Sequence, residues 1–495
     1  MLLSSADRVV GLTVNFALNV IISRLLTPSE VGVALIGTAT AVVAIGIRDF
    51  ATPAYLVQKP EIDATDVRTT TALNVILGVV VAALLMGVAP LMQRVYGDPR
   101  LTTFFTVVAI ANIVDASMAP MQALLQRDMK FRTLAMINVA NSTTYAVVAL
   151  LALAAGAGYL CFAWAWLCSA VVSALLYYRY RPERWTPGVS LVRWREVASF
   201  GGYHGLSTIV YRTWEAAPAL VLGRLVSVTD AGFFGRAQLL SQLIDKIFLS
   251  VLTAVALPAF SARARDARDT IAGAYLHCVT LISGVYWPAV AMLAILADPM
   301  TRLILGAQWL AVVPIVRVIC LASIFVAPVV MAWPAMVASG GVRDRLTSNL
   351  VSLPISTVIF IGFTSFGLTA AAASLFVIMP LQMLVQIHYL QKRVAVSWAA
   401  LAAALRPSFY VMLTTVALPL LVIANKGFVF ELGFGATALC IGLAVVGWMV
   451  GLIWTKHPAQ SEVWHAWAAV RAAVTTALAR ARQELLRRRA VNLRG

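Results

Sequence analysis

Nine ionisable side chains sit in stretches of this sequence that are otherwise apolar: Arg48, Asp49, Asp115, Arg212, Glu215, Arg236, Asp245, Lys246 and Arg317. Each would cost about 3 kcal/mol at the centre of a bilayer, and together roughly 20–30 kcal/mol, more than the net stability of a typical fold. They must therefore face protein or water. The cations Arg48, Arg212, Lys246, Arg317 and Arg236 suit an anionic headgroup such as a phosphate or pyrophosphate, whose oxygens match the guanidinium fork. They are the candidate substrate-binding residues. Lone intramembrane carboxylates suit proton or sodium coupling, which makes Asp49, Asp115, Glu215 and Asp245 the ion-coupling candidates.

Spacing says which of these can cooperate. Arg212 and Glu215 stand i,i+3, close enough to pair on a helix. Gln238, Gln242 and Asp245 follow i,i+4,i+7 as one polar stripe, with Lys246 adjacent. Asn112 shares a face with Asp115; Asn15 with Asn19 and Asn138 with Asn141 read as helix–helix glue. Arg236, about one turn into its apolar segment, could instead snorkel outward. Trp164, Trp166, Tyr203, Tyr211 and Trp214 could stack on sugar faces, although such residues commonly form interface belts.

The elements that must position these groups are membrane helices. Hydrophobic residues make up 61% of the 495, and charged residues 12%, about half the share of a soluble domain. Apolar runs long enough to cross a hydrocarbon core recur throughout. Bounded by charge, Pro and Gly, they place spans near 8–26, 31–58, 67–93, 101–125, 134–155 and 159–178, then near 197–222, 230–260, 270–297, 309–339, 345–365 and 368–390. Two more follow near 406–424 and 432–455, for an all-α integral membrane protein of about fourteen spans. Pro218, Pro288, Pro314, Pro328, Pro334 and Pro354 are expected kink points.

The net charge of +17 sits mainly in alternate loops. Segments 59–68, 126–133, 179–196, 261–269, 340–346, 391–406 and the tail from Lys456 carry 26 Lys/Arg, and the opposite connections only Arg24, Arg94, Arg100, Arg224, Arg302 and Lys426. That asymmetry places both termini in the cytoplasm and makes nucleic acid an unnecessary partner. The tail 456–495 reads as a basic amphipathic helix on the anionic leaflet. No cleavable signal peptide is read. Cys161, Cys168, Cys278, Cys320 and Cys440 are scattered in apolar runs, so neither a disulfide nor a metal site is expected. No phosphate-binding loop or hydrolase signature is present. A transporter without a cofactor is the expectation, not an enzyme.

The chain also carries an internal repeat. Residues 24–32 read RLLTPSEVG and residues 224–232 read RLVSVTDAG, 200 positions apart. A weaker echo joins Arg94–Leu101 with Arg302–Leu310. Ser29-Glu30 and Thr229-Asp230 have N-cap chemistry for the helices that follow. An offset of six spans leaves the copies in the same orientation, an architecture that places a substrate site between parallel halves.

The run RLLTPSEVG, Asp49, LVQKPEI, RVYGDPRL and ALLQRDMKF, with LGRLVSVTDAGFFGRA, LPAFSARARD and DPMTRLILGAQWLAVVPIVRV, resembles the polysaccharide-transporter branch of the multidrug/oligosaccharidyl-lipid/polysaccharide exporter superfamily, Wzx-type flippases included. The resemblance covers about residues 8–395. It implies two six-helix lobes around a central cavity, 1–180 and 197–392, joined by a cytoplasmic linker at 181–196. An interfacial segment with two appended helices at 393–455 and the tail complete the chain. The implied activity is movement of a polyprenyl-pyrophosphate-linked oligosaccharide from the inner to the outer leaflet by alternating access, driven by an H+ or Na+ gradient or the membrane potential. The expected protein is a monomer among membrane lipids, working beside a polysaccharide polymerase. By position, Asp49 matches an acid common in that family and Arg236 a common base. Two departures stand out. Pro218 replaces an acid, with Glu215 one turn earlier, and Phe-Ala-Thr-Pro-Ala follows Asp49 where relatives are Gly-rich. A lipid II or drug exporter of the same superfamily is the alternative. A membrane-embedded glycan polymerase or ligase is disfavoured, because no outward connection exceeds about a dozen residues.

Overall fold

In the computed structural model of the chain, the described residues are 14, 16–51, 54–246, 260, 270–425, 427–462 and 464, without the side chains of 49–51, 54, 200, 203, 204, 206, 207, 270 and 342. The described residues are helical, with no strand among them. In chain order the helices are α1 (Phe16–Leu25), α2 (Pro28–Ile45), α3 (Ala54–Gln58), α4 (Ala64–Tyr96), α5 (Arg100–Arg127) and α6 (Phe131–Ala154). Next come α7 (Cys161–Arg179), α8 (Trp194–Leu225), α9 (Val228–Ser241), α10 (Thr270–Ile295), α11 (Ala297–Ile304) and α12 (Val313–Ala322). The last are α13 (Ala332–Ala338), α14 (Val342–Thr364), α15 (Leu368–Ala373), α16 (Leu375–Gln391), α17 (Trp398–Ala424) and α18 (Phe434–Trp454).

Eleven helical segments among the described residues are long and apolar enough to cross a membrane, and each coincides with one of the expected spans. The remaining three expectations fall on the shorter α1, on the more polar α8, and on α9 with residues 247–259, which lie outside the described residues. Apolar side chains are exposed on these helices, Val79, Val80, Val358, Val445 and Val450 among them, a pattern that suits lipid as solvent.

The expected spans at 31–58 and 309–339 are broken by 3₁₀ turns rather than kinked. The segment expected at 31–58 is α2, a 3₁₀ turn over Gly46–Ala51 and the short α3. Arg48 therefore stands on a tightened turn, where its side chain can leave the helix cylinder. The segment expected at 309–339 divides into a 3₁₀ turn (Ala307–Val312), α12, a second 3₁₀ turn (Ser323–Val326) and α13. Pro328 lies in the gap, where a missing amide costs no helical hydrogen bond. Pro218, Pro288 and Pro354 remain inside continuous helices.

The described chain groups into two compact units. The first holds residues up to 243 with 297–322 and 342–389. Its buried side chains include Phe104, Phe105, Phe234, Trp309 and Phe360. The second holds 244–296, 323–341 and 390 onward. There α10 packs on α17 and α17 on α18. Ser283 Oγ donates to Ser408 Oγ (2.7 Å), Thr280 Oγ1 donates to the Ala404 carbonyl (3.0 Å), and Trp448 Nε1 donates to the Gly284 carbonyl (2.9 Å). Hydroxyl and indole bonds of this kind hold helices together where lipid supplies no hydrophobic drive.

Candidate functional site

The repeat builds a local two-fold contact in the first unit. Thr27 caps α2, with Glu30 returning to the Thr27 amide at 3.0 Å. Ser227 caps α9, its Oγ accepting from the Asp230 amide at 3.0 Å. The caps are Thr27 and Ser227, two positions before the pairs expected from the sequence. Glu30 and Asp230 occupy the third helical position, where a carboxylate reaches back. The helices so started cross at their first turns. A Cβ on Gly32 would lie 1.9 Å from the Val228 carbonyl oxygen, and one on Gly232 would lie 2.1 Å from that of Pro28. Positions 28 and 32 thus meet 228 and 232 reciprocally, as in a self-complementary interface.

Beyond this crossing α2, α8 and α9 enclose a cavity of ≈ 250 Å³, lined among others by Thr38, Val42, Arg212, Glu215, Phe234 and Gln238. Arg212 Nη1 and Glu215 Oε2 pair at 3.4 Å, with 44% and 45% of their side chains exposed. The long distance and the open setting leave both groups able to take another partner. Among the described residues the cavity walls are otherwise mainly apolar, so one cation, one anion, an amide and a hydroxyl are the polar groups they supply.

Beside it, Arg48 Nη1 donates to Asn112 Oδ1 (3.3 Å), and Asn112 Nδ2 donates to the Gly78 carbonyl (2.8 Å). One turn along α5, Asp115 accepts from Trp166 Nε1 at 3.0 Å and lies within electrostatic reach of Arg48. Trp166 thus uses its polar edge on a carboxylate. Asn141 donates to Ser173 Oγ (2.7 Å), joining α6 to α7 as glue.

The other candidates are placed differently. Arg236 does not snorkel: it is 5% exposed, donates to Asn19 Oδ1 at 3.0 Å, and stands 5.7 Å from the Trp309 ring centroid. The indole of Trp309 in turn donates to the Ser23 carbonyl (2.6 Å), so Arg236 ties α9 to the end of α1. Arg317 is half-buried on α12. Asp245 and Lys246 belong to the second unit, where Tyr286 Oη donates to Asp245 at 2.6 Å and Lys246 is exposed. The helix α9 ends at Ser241 with Gln242 as its C-cap, so the expected stripe is interrupted after Gln238. The side chain of Asp49, like those of Tyr203 and His204, and all of Asn15, Lys426 and the tail beyond 464, lie outside the described residues.

Sequence reasoning missed a network at the opposite end of the unit. Asp66 is fully buried and accepts from Tyr55 Oη (3.1 Å), Lys59 Nζ (2.9 Å) and Arg193 Nη1 (2.8 Å). Lys59 also pairs with Glu196 at 3.1 Å, and Arg193 with Asp63 at 2.9 Å. Arg127 donates to the carbonyls of Leu56 (2.8 Å), Lys59 (2.5 Å) and Pro60 (2.6 Å), capping the end of α3. The basic loops 59–68, 126–133 and 179–196 therefore meet. Burial would lower the Lys59 pKa, but its bonds to Tyr55, Asp66 and Glu196 hold it above the usual value. Tyr55 and Lys59 hold Glu196 below the usual carboxylate range. The sequence signal was the Asp63-x-x-Asp66 capping box, which fixes Asp66 at the start of α4.

Comparison with known proteins follows the same lines. The chain is 22% identical over 313 residues to the lipopolysaccharide biosynthesis protein WzxC of Escherichia coli (strain K12), covering 61% of this chain and 62% of that protein. It is 24% identical to the teichuronic acid biosynthesis protein TuaB of Bacillus subtilis (strain 168), over 56% of this chain and 58% of that one. It is also 24% identical to the succinoglycan biosynthesis transport protein ExoT of Rhizobium meliloti (strain 1021), over 62% of each. The matches thus span about three-fifths of these relatives. In fold it is similar to the lipid II flippase MurJ in an inward closed conformation, with a TM-score of 0.72, 12% identity, and coverage of 92% of this chain and 98% of that one. An inward-facing multidrug resistance MATE transporter gives a TM-score of 0.58 at 14% identity, over 81% and 99%. With residues 21–314 matching its profile across the repeat, the crossing and the cavity, the chain belongs to the polysaccharide biosynthesis protein family.

Proposed function

We propose that the protein moves a polyprenyl-pyrophosphate-linked oligosaccharide, the repeat unit of an exopolysaccharide, capsule or O-antigen, from the inner to the outer leaflet by alternating access. The observation that carries this reading is the half-exposed Arg212–Glu215 pair, facing a cavity between helices that begin with the two copies of the repeat. A guanidinium with one weak partner can exchange it for a pyrophosphate oxygen. The fold shared with a lipid II flippase, and the three relatives named for making or transporting polysaccharides, support the same class of cargo.

In this reading the two lobes are residues 1–180 and 197–392, and the basic loops and both termini face the cytoplasm. Arg212 is the main headgroup contact, with Arg48 and Arg317 of the same unit as further cations, and Arg236 positions α9 against α1. Glu215, Asp115 and Asp49 tune the site or couple it to an ion gradient. Deleting the gene tests the proposal. Lipid-linked sugar should accumulate in the inner leaflet, with chains no longer elongated outside. Unchanged levels of inner-leaflet intermediate, with short chains on the outer leaflet, would instead assign the protein to polymerisation.

A further inference from the structure

A second cavity lies in the second unit, at the end of α17 and α18 that carries the basic loop 391–406 and Lys456. It has a volume of ≈ 420 Å³ and is lined by Arg406, Pro407, Tyr410, Trp454 and Thr455. That volume falls within the range of small-molecule sites, about 300–1,000 Å³. The Arg406 guanidinium lies over the Tyr410 ring, 5.9 Å from its centroid, and Tyr410 meets Trp454 edge to face at 5.9 Å.

Arg406 is exposed and in no ion pair among the described residues. The sequence holds no Asp or Glu from residue 391 through 430, and Lys456 follows the cavity wall directly. The Tyr410 ring lies within cation–π range of the guanidinium, and the exposed N–H groups of Arg406 are open to an anion. Pro407 removes the amide that would bond the Ala403 carbonyl, which leaves an acceptor beside the cation. Trp454 is 68% exposed and Phe409 46% exposed, as aromatics are at the depth of lipid headgroups.

We propose that this cavity binds the headgroup of an anionic phospholipid, with the phosphate on Arg406, the glycerol against Tyr410 and Trp454, and the acyl chains running along α17 and α18. The site needs no transported substrate. The charge complementarity selects an anion, and the exposed aromatic walls select one that is attached to lipid.

The test uses the full chain in detergent with photoactivatable phosphatidylglycerol, and with a phosphatidylcholine of the same acyl chains, followed by mapping of the labelled peptides. Phosphatidylglycerol should label residues 403–410 and 448–456 in preference to phosphatidylcholine. Arg406→Gln should lower that labelling about fivefold, as expected for one cation at an anionic lipid surface, and Arg406→Lys should retain most of it. On the unaltered protein, excess unlabelled phosphatidylglycerol should compete, whereas phosphatidylcholine and inorganic phosphate should not; this arm stands even if the Gln variant does not fold. Equal labelling by both lipids, labelling confined to the tail beyond residue 464, or displacement by inorganic phosphate would each overturn the proposal.

Discussion

The reciprocal glycine contact makes a prediction that simple packing would not. In Gly232→Ala the new methyl would sit 2.1 Å from the Pro28 carbonyl oxygen, and in Gly32→Ala 1.9 Å from that of Val228. A carbon–oxygen contact relaxes only near 3.3 Å, so either change must part α2 and α9 by about 1 Å at their first turns. Overpacking of this kind costs about 1–3 kcal/mol. Both substitutions strain the same crossing, and once one has opened it, the second enters at little further expense. The double variant should therefore lose little more stability than the worse single one, with a coupling of about 1–2 kcal/mol. Thermal unfolding of the purified variants, followed by tryptophan fluorescence, measures this. Fully additive losses would show that the two contacts are independent. Losses near zero would show that the helices do not approach so closely.

Other consequences follow from single residues. Arg212→Gln removes the cavity's cation and should slow leaflet-to-leaflet movement of lipid-linked sugar by about tenfold or more, with little change in melting temperature, since the Arg212–Glu215 pair is open to solvent. Glu215→Gln should leave exchange down a sugar gradient intact while abolishing any response to an imposed proton or sodium gradient, read in the same vesicles. Asp66→Asn withdraws the carboxylate on which Tyr55, Lys59 and Arg193 converge. It should destabilise the protein by about 1–3 kcal/mol, seen as a lower melting temperature. His457 is buried, with Nδ1 accepting from the Ala459 amide (3.1 Å) and Nε2 3.0 Å from Ser408 Oγ. Burial lowers its pKa from 6.5 to about 4. A depressed folded pKa means that the unfolded chain takes up the proton first, so stability is complete above pH 6.5 and declines toward pH 4, by at most about 3 kcal/mol. His457→Asn keeps the amide acceptor and should flatten that pH dependence of the melting temperature.

Much of this was legible in the sequence, because the bilayer leaves few choices. Apolar runs bounded by charge could only be helices, and eleven of the expected spans coincide with helical segments among the described residues. The 200-residue repeat pointed to like-oriented helices, and α2 and α9 meet through its equivalent positions. The Arg212–Glu215 pair followed from helical periodicity alone. What escaped was tertiary. Nothing in the spacing said that Arg236 would be buried against Asn19 and Trp309, since one turn into a span is compatible with snorkelling as well as with packing. The Asp66 network joins residues more than a hundred positions apart, and the loop charges that revealed a shared side said nothing of which would pair. The broken segment after α2 escaped because Gly46 and Pro53 were read as parts of one long span, whereas Gly46 ends α2 and the backbone tightens into a 3₁₀ turn.

The central claim is that the cavity beside Arg212 is a path for a lipid-linked anionic sugar. The most direct measurement is reconstitution of the purified protein in liposomes, with a fluorescent polyprenyl-pyrophosphate oligosaccharide in both leaflets and an impermeant quencher outside. With the unaltered protein, the protected inner pool should become accessible to the quencher over time; with Arg212→Gln it should do so about tenfold more slowly. If the protected pool stays constant with the unaltered protein, or drains equally fast with the variant, the cavity is not the path.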